Sequence, residues 1–375
     1  MSRLPHMGTS IFTQMTQLAA QYGAINLAQG FPNFPIDGRL SEIIARKAFE
    51  SVHQYQPASG HAGLLRQLAN LTQTSYGRAV DPEREILVTA GATQGIFTAI
   101  QALAGPGDEI ILLDPCYDCY QAPVLLTGAT AVHVSMTPGY TPDWPAIDRA
   151  ANDKTRLIVI NTPHNPSGKM WQQDDFEALE RLLDKHPKLL VLSDEVYEYI
   201  CFGRPHLSVH SRATLHSRSI CISSFGKSFH ITGWKVGYVI ACEALMSEIK
   251  KVHQYLVFSV NSLAQAALCE YLDVVDVKQL GEFYKQKRDA FRDMLSASRF
   301  ELLPCDGTYF QLVSYANLSD KNDVDFARTL AVEFGVAAIP VSVFNADGKD
   351  LKHLRFCFAK DNETLMAAAA RLEKL

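Results

Sequence analysis

The chain has 375 residues, 47% of them hydrophobic and 20% charged, with 35 Lys and Arg against 40 Asp and Glu and a net charge of -5. At roughly 150 residues per domain that length fits about two domains, and the composition excludes a disordered, collagen-like or coiled-coil chain. No long run of one sign offers a grip for nucleic acid or an anionic membrane, and no stretch approaches the roughly 18 apolar residues of a membrane helix, so neither partner is expected.

In chain order, Met1 to Ile11 contains no apolar leader core. From residue 60 onward, amphipathic segments alternate with short apolar ones. The pattern predicts a helix over 60–76, a strand over 85–90, a helix over 92–104, a strand over 109–113 and a helix over 117–128. It continues with strands at 129–134, 156–160, 188–193, 218–223 and 235–241, and a helix over 172–185. Short Val, Ile and Leu runs separated by helix-length segments imply an α/β fold whose largely parallel sheet is covered on both faces. After residue 243 long helices are expected at 243–257, 261–275 and 277–297. Strands at 300–303, 308–314 and 353–358 and helices at 323–335 and 361–373 then suggest a smaller α/β domain. No repeat or low-complexity linker marks the boundary, which is expected inside a long connecting helix.

The eight Cys are scattered in mostly apolar surroundings, and only Cys116 and Cys119 form a CxxC. No second pair or His cluster follows at ligand spacing, so buried, reduced thiols in a cytoplasmic protein are expected, with no metal site.

Ligands of such a sheet bind beyond the carboxyl ends of its strands. The loops there are Gly91-Ala92-Thr93-Gln94, Asn161 to Lys169 (NTPHNPSGK), Ser193-Asp194-Glu195-Val196-Tyr197, and Ser223-Ser224-Phe225-Gly226-Lys227-Ser228 followed by Lys235. Small residues at a strand-to-helix turn leave helix N–H groups open to an anion, though such turns are often simple packing. Two prolines and a glycine stiffen the second loop around Asn165. A strand-end lysine among small and aromatic residues is placed to lose its proton by desolvation, as an amine nucleophile requires. Gly226-Lys227-Ser228 resembles the tail of a P-loop, but Cys221 stands where that motif needs glycine, and no GxGxxG supports a nicotinamide site. Lys227, Asp194, the helix start and Asn165 together match the demands of pyridoxal 5'-phosphate: an imine-forming amine, an acid for the ring nitrogen, and an anion cradle.

These motifs, with INLAQGFPNFP at 25–35, DPCYDCY at 114–120 and LRFCFA at 354–359, resemble the class I and II aminotransferases of fold type I. Within them the chain looks most like the methionine and kynurenine aminotransferase branch. The resemblance implies an α/β large domain over 41–275 with a mostly parallel, seven-stranded type of sheet. A small domain over 276–375 and an arm and partial small domain over 1–40 would complete the chain. Lys227 would be the Schiff-base lysine and proton shuttle, Asp194 the partner of the pyridine nitrogen, and Asn165 and Tyr197 the partners of the ring O3'. Tyr117 would stack on the ring. Gly91, Ala92, Thr93, Ser224 and Lys235 would hold the phosphate, with Tyr55 reaching in from a second subunit of a homodimer with composite sites. Arg355 and the Gly30 backbone would take the substrate carboxylate.

Lys235 stands where aspartate aminotransferases usually carry Arg, and no arginine motif for a side-chain carboxylate is evident. Phe12, Tyr309 and Phe258, the last from the partner subunit, match or neighbour apolar substrate positions of the branch. The expected substrates are therefore methionine or an aromatic or apolar amino acid and a 2-oxo acid. A carbon–sulfur β-lyase working in the same site is one rival, and a non-catalytic sensing module on the same fold is another.

Overall fold

The computed structural model describes residues 3–5 and 7–375. Met1, Ser2 and His6, within the opening segment searched above for a leader, lie outside the described residues. In chain order the strands are β1 (Ile25–Asn26), β2 (Ile86–Thr89), β3 (Glu109–Asp114), β4 (Thr130–Ser135), β5 (Thr155–Asn161), β6 (Leu190–Asp194) and β7 (Ser219–Ser224). They continue with β8 (Gly237–Ala241), β9 (Glu301–Leu302), β10 (Phe310–Ser314), β11 (Val336–Ala337), β12 (Ile339–Pro340) and β13 (His353–Cys357).

β2-β8-β7-β6-β5-β3-β4 form a seven-stranded sheet. It is parallel except for β8, which runs against both β2 and β7. The reversal matters for chemistry, because the start of β8, not its end, meets the carboxyl edge of its neighbours. Ser224 and Thr89 both pair with Gly237 there, so Lys235 arrives beside the loops that follow β2 and β7.

The alternation of side chains along a strand sorts residues between the two covered faces. Leu190 and Leu192 pack with the helix Ala92–Leu103, whereas Val191 packs with the helix Gln173–Lys185. The same period turns Asp194 toward the first face and Ser193 and Glu195 toward the second. Asn161 and Ser224 share the parity of Val159 and Ile222, so they emerge on the same side as Asp194.

A second, antiparallel sheet of order β12-β13-β10-β9 carries Arg355 on β13, paired with Leu312 and Ile339. Its core includes Met15, Ala19 and Leu27 from the start of the chain as well as Tyr284, Phe291, Phe356 and Leu372. β1 pairs with β11, which binds the early segment to the late one.

Three local features differ from the reading of the sequence. The helix expected over 117–128 begins only at Gln121, and residues 117–120 form a turn that presents Tyr117 and Tyr120. Helices Ile11–Tyr22 and Gly38–Lys47 were not foreseen. The first starts on a Ser10 cap and stops at Gly23, whose φ is +62°. Of the three helices expected over 243–257, 261–275 and 277–297, Glu243–Leu256 forms nearly as expected, while Ser262–Tyr271 and Gln279–Met294 stop short of the expected ends.

The acid after Asp194 serves the fold. Glu195 is fully buried, with Oε2 2.7 Å from His206 Nε2 and Oε1 accepting from Ser193 Oγ at 2.7 Å and from the Val209 amide at 3.1 Å. Burial pushes its pKa up, but His206 outweighs that and draws it from 4.5 down to about 2. A pKa lower in the folded state stabilises the protein above the unfolded value and stops doing so as pH falls through the folded value. Glu195→Ala is therefore expected to lower the unfolding free energy by about 3–5 kcal/mol at neutral pH, the cost of breaking a buried pair. In urea titrations the difference from wild type should narrow between pH 4.5 and 2, and a difference constant over that range contradicts this role.

Candidate active site

A cavity of about 310 Å³ opens at the carboxyl edge of the large sheet. Phe12, Gly30, Gly91, Ala92, Thr93, Tyr117, Asn165, Asp194, Tyr197, Ser224, Lys227, Lys235 and Arg355 all line it. Three other expected residues do not. Tyr309 is wholly buried behind the wall, where its hydroxyl donates to the Gly30 carbonyl at 2.7 Å, and its neighbour Phe310 faces the cavity instead. Tyr55 and Phe258 are 80% and 48% exposed and meet each other edge to face at 5.3 Å, outside this chain's cavity.

The first loop builds an anion cradle. Gly91, with φ +80°, caps the helix Ala92–Leu103 without a side-chain bond, which leaves the first helical N–H groups open to the cavity. A Cβ built on Gly91 would lie 3.3 Å from Lys235 Nζ, so the ammonium sits directly over this turn. Lys235 has no ion-pair partner among the described residues.

The 161–169 loop owes its rigidity to hydrogen bonds as well as to its prolines. Asn161 donates to the Asp194 carbonyl at 2.9 Å and accepts from the Asn165 amide at 2.8 Å, which ties the loop to the end of β6. His164, whose pKa burial lowers to about 4, is held neutral between Ser167 Oγ and the Pro115 carbonyl. Asn165 Oδ1 thereby accepts from Arg355 Nη1 at 2.6 Å.

Arg355 is fully buried and makes no ion pair with a carboxylate among the described residues. Its Nη2 donates to the Ala28 carbonyl at 3.2 Å, its Nε has no partner among the described residues, and its guanidinium lies 3.9 Å above the Phe310 ring. Burial depresses its pKa, as expected for a cation short of counter-charge.

Lys227, near the end of a short helix after β7, is half-buried with its amine 5.8 Å from the ring centres of Tyr197 and Tyr309. Burial, helped by Arg355 and Lys235, lowers its pKa to about 8. Burial also raises that of Asp194 to about 6, against the hydrogen bond from Tyr120 and the charge of Lys227. Tyr120 and Phe310 are site residues that the sequence reading passed over. Tyr120 is the second tyrosine of DPCYDCY, and Phe310 follows Tyr309 directly.

Comparison with known proteins was consistent with this geometry. Residues 22–372 match the family model for aminotransferase class I and II. The methionine aminotransferase of Escherichia coli (strain K12) is 46% identical, over 100% of this chain and 98% of that protein. A solved structure from Escherichia coli, with an identified methionine aminotransferase function, superposes with a TM-score of 0.98 at 46% identity, covering 100% of this chain and 99% of that one. Kynurenine–oxoglutarate transaminase 3 of Rattus norvegicus is 33% identical over 98% of this chain and 88% of its own length.

In the protein free of small molecules, Lys227 should react with cyanate along a pH curve whose midpoint lies near 8, because only the neutral amine attacks. Peptide mass spectrometry resolves it from other lysines, and a midpoint at the ordinary value of 10.5 would show that the amine is not desolvated.

Proposed function

The chain belongs to the class I and II aminotransferases, and we propose that it moves an amino group from methionine, or an aromatic or apolar amino acid, to a 2-oxo acid. Pyridoxal 5'-phosphate is the proposed cofactor, held between Lys227 and Asp194. The observation that carries this reading is the charge of the cavity, where Lys227, Lys235 and Arg355 are opposed by Asp194 alone among the lining residues. Arg355 is buried and Lys227 half-buried, and cations short of counter-charge at that depth are costly. A phosphate over Gly91 and Lys235 and a carboxylate at Arg355 supply the missing anions.

When bound, the cofactor offers an aldehyde that condenses with amines and a cationic ring that draws electrons from the substrate's Cα. The chain's residues do the rest. Ala92, Thr93, Ser224 and Lys235 would hold the phosphate, Tyr117 the ring face, and Asn165 and Tyr197 the ring oxygen. Asp194 would keep charge on the ring nitrogen. Lys227, whose pKa is lowered to about 8, would move the proton between the substrate's Cα and the cofactor's C4'. Arg355 would fork the substrate carboxylate, a geometry that Lys does not supply, while Tyr309 steadies the Gly30 carbonyl beside it.

The donor is read from what surrounds Arg355. Phe12 lies 5.9 Å from Phe344 and 6.2 Å from Tyr117, an apolar wall suited to a thioether or an aromatic ring. Beyond the three cations already assigned, no Lys or Arg among the described residues lines the cavity to receive a second carboxylate. The name of the Escherichia coli relative agrees with methionine as donor. Exposed Tyr55 and Phe258 support a homodimer in which each would serve the partner's cavity. The eight free cysteines support a reducing cytoplasm.

Lys227→Ala should abolish transamination and the absorbance of the lysine-bound cofactor together. Arg355→Lys should lower kcat/KM about 10- to 100-fold, the worth of a hydrogen bond between charged groups. In a panel of amino donors against one oxo acid, methionine and aromatic amino acids should exceed aspartate. Aspartate as the best donor would overturn the substrate assignment.

A further inference from the structure

We propose that Tyr120 is a positioning residue for the reaction: its hydroxyl braces Asp194 so that the carboxylate stays ionised and a ring nitrogen bound against it keeps its proton. The inference rests on the pyridoxal phosphate reading of the cavity.

Tyr120 is 2% exposed, and its hydroxyl donates to Asp194 Oδ2 at 2.6 Å. Among the described residues the only other hydrogen bond to that carboxylate is from the Val196 amide, 3.3 Å from Oδ1 and beyond the range of a strong N–H···O bond. A carboxylate has about four acceptor positions. Among the described residues Tyr120 thus supplies the one short bond, and the rest of the carboxylate is left to the cavity that both residues line.

The brace has work to do because the surroundings favour the neutral acid. The titratable groups acting on Asp194 are Tyr120, Lys227, Cys119 and Tyr197, and Glu195 from the opposite face of the sheet. Lys227 favours ionisation and Glu195 opposes it, while burial outweighs both. Burial also holds the Tyr120 phenol protonated, so it remains a donor. A hydrogen bond to the ionised form lowers the proton affinity of Asp194. Without it, the proton shared with a ring nitrogen would shift toward the acid, and the ring would draw electrons less strongly.

The turn at 117–120 places both aromatic functions. Tyr120 N donates to the Tyr117 carbonyl at 3.2 Å, and the two rings meet edge to face at 6.0 Å. Both residues line the cavity, and the Tyr120 phenol is the one hydrogen-bonded to the acid. Tyr120 also packs in the core with Ile96 and Val124, so a purely structural role is the competing explanation.

Tyr120→Phe keeps the ring and removes only the hydroxyl. Holoenzyme loaded with cofactor labelled with ¹⁵N in the ring should show a protonated nitrogen in wild type, shifted toward the neutral pyridine position in the variant. With methionine as donor, kcat should fall about 10- to 100-fold, matching the loss of one charged hydrogen bond, with KM little changed. In an Asp194→Asn background the same substitution should have no further effect. An unchanged ¹⁵N position, or an equal loss in that background, assigns Tyr120 to packing and overturns the proposal. Should Tyr120→Phe fail to fold, Tyr120→His retains a donor: a protonated nitrogen there supports the brace and a neutral one overturns it. Wild-type protein that takes up no labelled cofactor removes the premise itself, which is distinct from a variant that binds the label and is unchanged.

Discussion

Gathering buried Arg355, half-buried Lys227 and the more exposed Lys235 around one cavity, with Asp194 as the only acid among its described lining residues, leaves an excess of positive charge there. The rest of the site is arranged around that imbalance. Desolvation brings Lys227 toward its neutral form and Asp194 toward protonation, with pKa values of about 8 and about 6, as suits the amine and the acid of the proposed transamination. Arg355 cannot escape in the same way, since a guanidinium keeps its proton. It is instead packed against Phe310 and hydrogen-bonded to Asn165 and Ala28, with its fork ready for a carboxylate.

The fold supplies this arrangement by parity and direction. Period-two alternation sends Asn161, Asp194 and Ser224 to one side of the sheet, while Glu195 points away and joins His206 in a buried pair. The antiparallel β8 brings Lys235 to the same edge from the opposite end of its strand. The second sheet contributes Arg355, and the 161–169 loop reaches it through the hydrogen bond from Arg355 to Asn165 and through Gly168, whose carbonyl accepts from the Asp306 and Gly307 amides.

Much of this was legible in the sequence. Apolar runs of strand length gave the seven central strands within a residue or two, because strands buried on both faces need continuous hydrophobic sequence. The loops carrying Lys227, Asp194 and Asn165 stood out because turn-forming and ionisable residues directly follow such runs. Tyr120 did not, since an aromatic residue amid apolar neighbours reads as core and only the fold reveals its 2.6 Å bond to Asp194. Phe310 was missed for a related reason: the start of a strand does not announce which of two adjacent rings faces a cavity. Helices Ile11–Tyr22 and Gly38–Lys47 are short amphipathic segments whose partners are distant in sequence, among them Phe326 and Leu330 for the first and Leu268 for the second. Local pattern carries no signal of such packing.

The central claim is that the Lys227 amine, and no other, bonds to the cofactor's aldehyde carbon. Reducing the holoprotein with borohydride makes that bond permanent, and peptide mass spectrometry then locates it. The expected result is a single pyridoxyl group on the peptide containing Lys227. A modification confined to any other lysine, or its absence from a protein that binds the cofactor and transaminates, would contradict the claim.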